Sequence, residues 1–132
     1  MRLLIDTNIF LEVLLNQRDA QEARDLLQKS DVHECVISDF ALHSISVILV
    51  RYKAFSLLRR FLADTVLSGS VGVLVLMPND LDQVIATAER FGLDFDDAYQ
   101  YVVAERHNLA IVSFDADFDR TPRGRQRPAT IP

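Results

Sequence analysis

The run Leu3-Leu4-Ile5-Asp6-Thr7-Asn8 decides the fold, because three apolar residues change at once into a cluster of polar ones. The apolar part is typical of a short buried strand, and the polar part is typical of a turn or of a helix cap. Aspartate is depleted in strands, so Asp6 marks the end of this one. Taken alone, Asp6 fits a helix N-cap as well as it fits a functional carboxylate.

Outward from this run, short apolar strands alternate with amphipathic helices. Further strands are predicted at Val36-Ile37, at residues 71–77 and at residues 110–113. Apolar residues recur at helical spacing between them, which predicts helices in every intervening segment, including one over residues 55–67. This alternation indicates an α/β fold with a parallel sheet that helices cover on both faces.

Acidic residues follow several of the predicted strands. Asp6 follows the first strand, Asp39 follows the second, and Asp115 follows the last. Ligands of such sheets bind at the carboxyl ends of the strands, so these residues are expected to meet at one edge. The convergence of distant parts of the chain carries more weight than any single motif.

A second acidic group lies at the start of a predicted helix, where Asp96 and Asp97 follow Asp94. Asp94 can cap that helix alone, so the two further carboxylates need another reason. A cation would relieve their mutual repulsion. The same repulsion predicts that asparagine at Asp6 or Asp97 stabilises the metal-free protein slightly.

A third acidic group alternates along the chain at Asp115, Asp117 and Asp119. In an extended segment, this spacing would place the three carboxylates on one side. Clustered oxygen ligands select Mg²⁺ or Mn²⁺ over softer metals. A divalent ion there could bind a phosphate, activate water and stabilise a leaving oxygen.

Composition limits the class of protein. A length of 132 residues predicts one domain over residues 1–132, and no apolar stretch is long enough to cross a membrane. The single cysteine, Cys35, cannot form an internal disulfide, which favours a reducing cytoplasm. A net charge of −5 argues against a protein that coats nucleic acid by charge alone.

The C-terminal segment, residues 120–132, is basic. Its cations include Arg120, Arg123, Arg125 and Arg127, which follow the acidic run directly. They suit an RNA-binding arm that holds phosphates beside a metal site. The alternative is a solvated loop followed by a frayed terminus, which the tail alone favours.

Three parts of the chain together resemble the PIN-domain nuclease family. These parts are residues 3–8, then Asp97-Ala98 at the start of a helix, then Ile111 to Phe118 with Asp115 among them. The resemblance implies a single PIN-like domain with a Rossmann-like parallel sheet of four to five strands. It also implies a metal-dependent endoribonuclease that cleaves RNA. Many small relatives are VapC-like toxins that an antitoxin inhibits, and many form homodimers.

By motif position, the resemblance assigns catalysis and metal binding to Asp6, Asp97 and Asp115, with Mg²⁺ or Mn²⁺ as the cofactor. Asp119 is a further candidate for the metal site. A separate set of polar residues is expected to support the site: Thr7, Asn8 and Ser113.

One position departs from the family pattern. The family usually places a glutamate in the helix after the second strand, and His43 is taken here as the matching residue. An imidazole can ligate a transition metal but brings no negative charge, so this difference bears on metal occupancy and rate. It makes a PIN-like RNA-binding or regulatory module, with reduced or no catalysis, the alternative to a nuclease.

Other acidic sites fit the sequence less well. A phosphoryl-transfer enzyme of the haloacid dehalogenase type also has an aspartate after its first strand, but it requires a second one where this chain has Asn8. A calcium loop would need a glycine at Arg120 and a glutamate at Gln126. The chain also has only four glycines and no glycine-rich phosphate loop.

Overall fold

The central element of the structure is a parallel sheet of four strands, in the order β3-β2-β1-β4. It is a computed structural model that describes residues 1–132. The strands are β1 (Arg2–Ile5), β2 (Glu34–Ser38), β3 (Gly72–Leu74) and β4 (Ala110–Val112). The α-helices are α1 (Thr7–Leu14), α2 (Ala20–Leu27), α3 (Asp39–Arg51), α4 (Phe55–Phe61), α5 (Leu81–Phe91) and α6 (Phe95–His107).

The sheet separates two hydrophobic clusters, because successive side chains of a strand point to opposite faces. Leu3 and Ile5 of β1 pack with residues of α1, α2 and α3, whereas Leu4 packs with residues of α5 and α6. The side chains of Leu3, Leu4 and Ile5 are fully buried. The α/β fold with a helix-covered parallel sheet is therefore confirmed.

Local signals fix several helix ends. Asp6 is the N-cap of α1 and accepts from the backbone N–H of Thr7, and the Ser38 hydroxyl caps α3 by accepting from Ala41. Helix α5 ends at Gly92, whose φ of 65° lies in the left-handed region that glycine adopts without strain. The strand-to-helix turns after β1 and β2 thus follow from single polar residues at the strand ends.

Two predicted elements differ from the structure. The strand predicted over residues 71–77 pairs only at Gly72–Leu74, because the backbone N–H of Leu76 then donates to the Tyr99 hydroxyl instead of a neighbouring strand. The helix predicted over residues 55–67 is α4 followed by a turn of π-helix at Leu62–Leu67.

The C-terminal segment packs against the rest of the chain, so its interpretation as a frayed terminus is wrong. Gln126 forms an isolated parallel bridge with Val112, beside β4. Ile131 is only 3% exposed and belongs to the cluster under α1, α2 and α3. This bridge stands where a fifth strand would lie. None of the helices is both long and apolar enough to span a lipid bilayer.

Candidate metal centre

A cleft of about 320 Å³ lies at the carboxyl edge of the sheet. Asp6, Asp97 and Asp115 all line it, together with Asp96. Asp6 follows β1, Asp115 follows β4, and Asp97 lies in the first turn of α6. The structure thus brings together the three aspartates that the sequence analysis singled out.

Hydrogen-bond donors surround Asp6. One of its oxygens accepts from the backbone N–H of Thr7 at 2.7 Å and from the Gln100 amide at 3.2 Å. The other accepts from the Ser113 hydroxyl at 2.7 Å and from the Asn8 amide at 3.3 Å. Burial raises the pKa of Asp6, and hydrogen bonds to the charged form oppose that shift. The carboxylate is therefore fixed in position by the fold itself.

Ser113 and Asn8 connect the ends of β1 and β4. The Ser113 hydroxyl accepts from the Asn8 amide at 3.1 Å and from the backbone N–H of Asp115 at 2.9 Å, while it donates to Asp6. The Asn8 side-chain oxygen accepts from the backbone N–H of Phe114 at 3.2 Å. These two side chains thus set the position of Asp115 relative to Asp6.

The surroundings of Asp97 are different, because negative charges replace the donors. Asp97 is 7% exposed, and burial together with neighbouring carboxylates raises its pKa from 3.8 to about 8. Those carboxylates belong to Asp96, Asp6 and Asp115. Without a cation, Asp97 therefore takes up a proton near neutral pH.

Asp117, rather than Asp119, completes the acidic cluster. One carboxylate oxygen from each of Asp97, Asp115 and Asp117 lies within 4.8 Å of the other two. Residues 116–120 form a 3₁₀ turn, so the expectation that alternate aspartates share one side of an extended segment is wrong. The turn directs Asp119 to Arg125, with which it forms an ion pair at 3.3 Å.

Sequence reasoning missed Gln100, which lies one helical turn after Asp97. Its side chain is 2% exposed and lines the cleft, and its amide nitrogen donates to Asp6. Its amide oxygen is buried and has no hydrogen-bond partner. The sequence signal that could have identified Gln100 is a polar residue among the apolar residues of α6.

Residues 3–124 match the sequence profile of the PIN domain. The chain belongs to the PIN domain family. No curated protein matches the sequence.

Several solved structures share the fold. A toxin-antitoxin complex from Klebsiella pneumoniae is 21% identical, with a TM-score of 0.71 over 97% of this chain and 98% of that chain. VapBC2 from Rickettsia felis, bound to a DNA fragment from its promoter, is 17% identical, with a TM-score of 0.71 over 95% and 96%. FitAcB from Neisseria gonorrhoeae is 18% identical, with a TM-score of 0.70 over 98% and 99%.

In this PIN domain, Ser44 and not His43 faces the cleft from α3. Phe40, Ser44 and Ile48 line the cleft at four-residue spacing, which places them on one side of the helix. His43 is exposed and borders the next depression along α3. Its position does not support the assignment of His43 to the metal site, because the α3 residues that line the cleft are Phe40, Ser44 and Ile48.

Each of the four C-terminal arginines has a partner within the chain. Arg120 pairs with Asp117, Arg125 with Asp119, and Arg127 with Glu22. Arg123 donates to the backbone oxygen of Leu109 at 3.2 Å. These contacts bind the C-terminal segment to the fold and compete with any phosphate for the same guanidinium groups.

The acidic cluster fits a divalent cation of the kind that PIN nucleases use. Burial, and after it the carboxylates of Asp96, Asp6 and Asp115, raise the pKa of Asp97, so a cation bound in the cluster would stabilise the charged form of this carboxyl. The unpartnered amide oxygen of Gln100 adds an acceptor beside Asp6. All of these groups offer hard oxygen ligands, which suit Mg²⁺ or Mn²⁺.

Proposed function

We propose that this PIN domain is a divalent-metal-dependent endoribonuclease that hydrolyses phosphodiester bonds in RNA. The convergence of Asp6, Asp97 and Asp115 in one cleft carries the proposal. The cleft is open at the sheet edge and acidic, so a polyanion can approach the carboxylates only when a cation lies between them.

Asp97 and Asp115 would hold the metal, with Asp117 as the third close carboxylate and Asp6 at the base of the cleft. The bound ion would supply a Lewis acid for the scissile phosphate and for the attacking water. Asp6 remains in one orientation because four donors hold it. Asn8 and Ser113 support that orientation. Thr7 donates its backbone N–H to Asp6 and also lines the cleft.

We also propose that the protein is the toxin of a toxin–antitoxin pair, with an antitoxin as its protein partner and the cytoplasm as its location. The support is that the solved structures with this fold include a toxin-antitoxin complex and VapBC2 bound to promoter DNA. Self-association into a homodimer is a further expectation from the family. Co-expression with the product of a neighbouring small gene, followed by co-purification, tests the antitoxin.

The decisive experiment for the nuclease is cleavage of a mixed RNA pool in the presence of EDTA, Mg²⁺ or Mn²⁺. Wild type is expected to cleave only with metal, and Asp97→Asn should reduce the rate by more than about a hundredfold, beyond what residues that merely support ligands contribute. Asp94→Asn is the matched control. It removes an aspartate three residues away that is exposed and makes no side-chain capping bond.

A binding or regulatory module is the second candidate function, and Ser44 favours it. The three α3 residues that line the cleft are Phe40, Ser44 and Ile48, so this helix contributes a hydroxyl and no negative charge. This candidate would be favoured over the nuclease if wild type and Asp97→Asn both bound RNA and neither cleaved it with any metal.

A further inference from the structure

Two depressions continue from the acidic cleft along one side of α3. The first, of about 400 Å³, shares Phe40, Ser44 and Ile48 with the cleft. The second, of about 490 Å³, shares Ile48 and Arg51 with the first. Together they form a groove, called here the α3 groove, which runs from the carboxylates to the C-terminal end of the helix.

Arg51 is the one lysine or arginine that lines this groove or the cleft. It takes part in none of the five ion pairs of the chain, unlike three of the C-terminal arginines. It lies seven residues after Ser44 on the same helix, a distance of roughly 10 Å along the axis. An unpaired guanidinium thus lies about two helical turns beyond the cleft-lining Ser44.

Tyr52 follows Arg51 and lines the outer part of the groove. Its side chain is 69% exposed, which is unusual for an aromatic residue with no partner covering it. An exposed ring beside a free cation is the combination on which single-stranded nucleic acids are held, by base stacking and phosphate contact together.

We propose that the α3 groove holds the single-stranded RNA that flanks the scissile phosphate, with Arg51 bound to a backbone phosphate and Tyr52 stacked on a base. The proposal rests on the proposed nuclease function, since a phosphate in the acidic cleft fixes where the strand begins. It moves the RNA contact away from Arg120, Arg123, Arg125 and Arg127, whose side chains bond within the chain.

The charge distribution favours RNA over an apolar peptide as the occupant. The net charge is −5 and the cleft itself is acidic, so a strand needs at least one free cation near the site. A peptide would gain nothing specific from Arg51 unless it were acidic, whereas a strand of RNA supplies both a phosphate for Arg51 and a base for Tyr52.

The test measures binding and cleavage separately. Binding of a short fluorescein-labelled single-stranded RNA is followed by anisotropy in EDTA and in Mn²⁺ over a range of salt concentrations, and cleavage of the same RNA is followed in Mn²⁺. The variants are Arg51→Gln, Tyr52→Leu and Tyr52→Phe. Arg60→Gln is the control, because it removes an exposed arginine of α4 that does not line the groove and forms no ion pair.

Arg51→Gln should lower the slope of log affinity against log salt by about 0.7, which corresponds to one lost phosphate contact on a single strand. Tyr52→Leu should weaken binding about fivefold or more, and Tyr52→Phe should retain wild-type affinity because the ring remains. In the cleavage assay, Arg51→Gln and Tyr52→Leu should each raise KM and leave kcat unchanged. Arg60→Gln should behave as wild type does.

Each other outcome has a distinct meaning. If wild type cleaves RNA and Arg51→Gln has the same KM and salt slope as wild type, the α3 groove does not bind RNA. The nuclease proposal would then stand, and the groove would be assigned to a protein partner. Equal losses of RNA affinity in Arg51→Gln and Arg60→Gln would also contradict the proposal, because they would show a non-specific effect of charge. Arg51-dependent binding without any cleavage would support the groove and reject the nuclease, and no RNA binding at all would reject both.

Discussion

Asp6 and Asp97 are equally buried in the same cleft, at 7% exposure each, yet their surroundings are opposite. Four donors fix Asp6, whereas Asp97 faces other carboxylates and has a pKa near 8. Burial raises the pKa of Asp6 as well, but on this side the fold supplies hydrogen bonds that favour the charged form. The Asp97 side needs a cation or a proton. The chain thus supplies the hydrogen-bond donors of the site, and a ligand must supply its positive charge.

The largest expected effect concerns pH. In EDTA, the free energy of unfolding should fall as pH rises from about 5 to 8, by at most about 1.4 kcal/mol per pH unit for one carboxyl. The unfolded chain, in which Asp97 regains its ordinary pKa of 3.8, binds fewer protons throughout that window, so rising pH favours unfolding. Urea denaturation at several pH values measures the slope.

Asp97→Asn should reduce that pH dependence, because the substituted amide does not titrate, while Asp6, whose pKa is also raised, keeps its own contribution. Asp94→Asn, at an exposed position, should keep the wild-type slope. If Asp97→Asn retained the full slope, the contrast between the two sides of the cleft would be wrong, because some other group would carry the proton.

Asparagine at Asp6 and at Asp97 should have opposite effects on the metal-free protein. Asp6→Asn places an amide against the donors of Ser113 and Asn8, which should cost about 1–3 kcal/mol of unfolding free energy. This reverses the expectation from sequence that both changes stabilise. Asp97→Asn should be neutral or stabilising. Thermal or urea unfolding in EDTA compares the two, and equal destabilisation would remove the distinction.

Ser44→Glu adds a carboxylate to the side of α3 that faces the cleft. Mg²⁺-supported cleavage, or Mn²⁺ affinity by titration calorimetry, should rise by at least about tenfold, because each added charge near a divalent ion is worth more than 1.4 kcal/mol. His43→Glu is the matched control on the next residue of α3, and it should leave both quantities unchanged. A larger gain from His43→Glu would place the histidine at the metal after all.

The smallest effect is expected at Asp119. Its ion pair with Arg125 is exposed on the aspartate side, so Asp119→Asn should cost no more than about 1 kcal/mol of stability. It should not change metal affinity. Asp117→Asn, two residues earlier and within the acidic cluster, should lower metal affinity, and identical titrations for the two variants would contradict the assignment of Asp117.

The strands and the convergence of Asp6, Asp97 and Asp115 were predictable, because strand ends and helix starts are marked by local residue patterns. The side of α3 that faces the cleft was not. Adjacent helical residues differ by about 100° in direction, so an error of one position exchanged His43 for Ser44. Only the packing of α3 on the sheet fixes that rotation.

Long-range partners were equally hidden from local patterns. No residue pattern near Arg127 predicts its pairing with Glu22, which is 105 residues away in the chain. A basic segment whose partners are not recognised in the sequence therefore resembles a binding arm. Gln100 was missed for the same reason, since its partner Asp6 is 94 residues distant. Residues whose meaning depends on contacts across the sheet need the assembled fold.

The Ser113 hydroxyl, which joins Asp6 to the turn after β4, has a consequence for protein synthesis. Asp6 leaves the ribosome early, but its Ser113 donor is 107 residues further along the chain. A ribosome adds about 5–20 residues per second, so for several seconds the nascent chain carries Asp6 without Asp97 or Asp115. The cleft cannot assemble until nearly the whole polypeptide has emerged, and an incomplete or prematurely terminated translation product would lack the activity proposed for the finished chain.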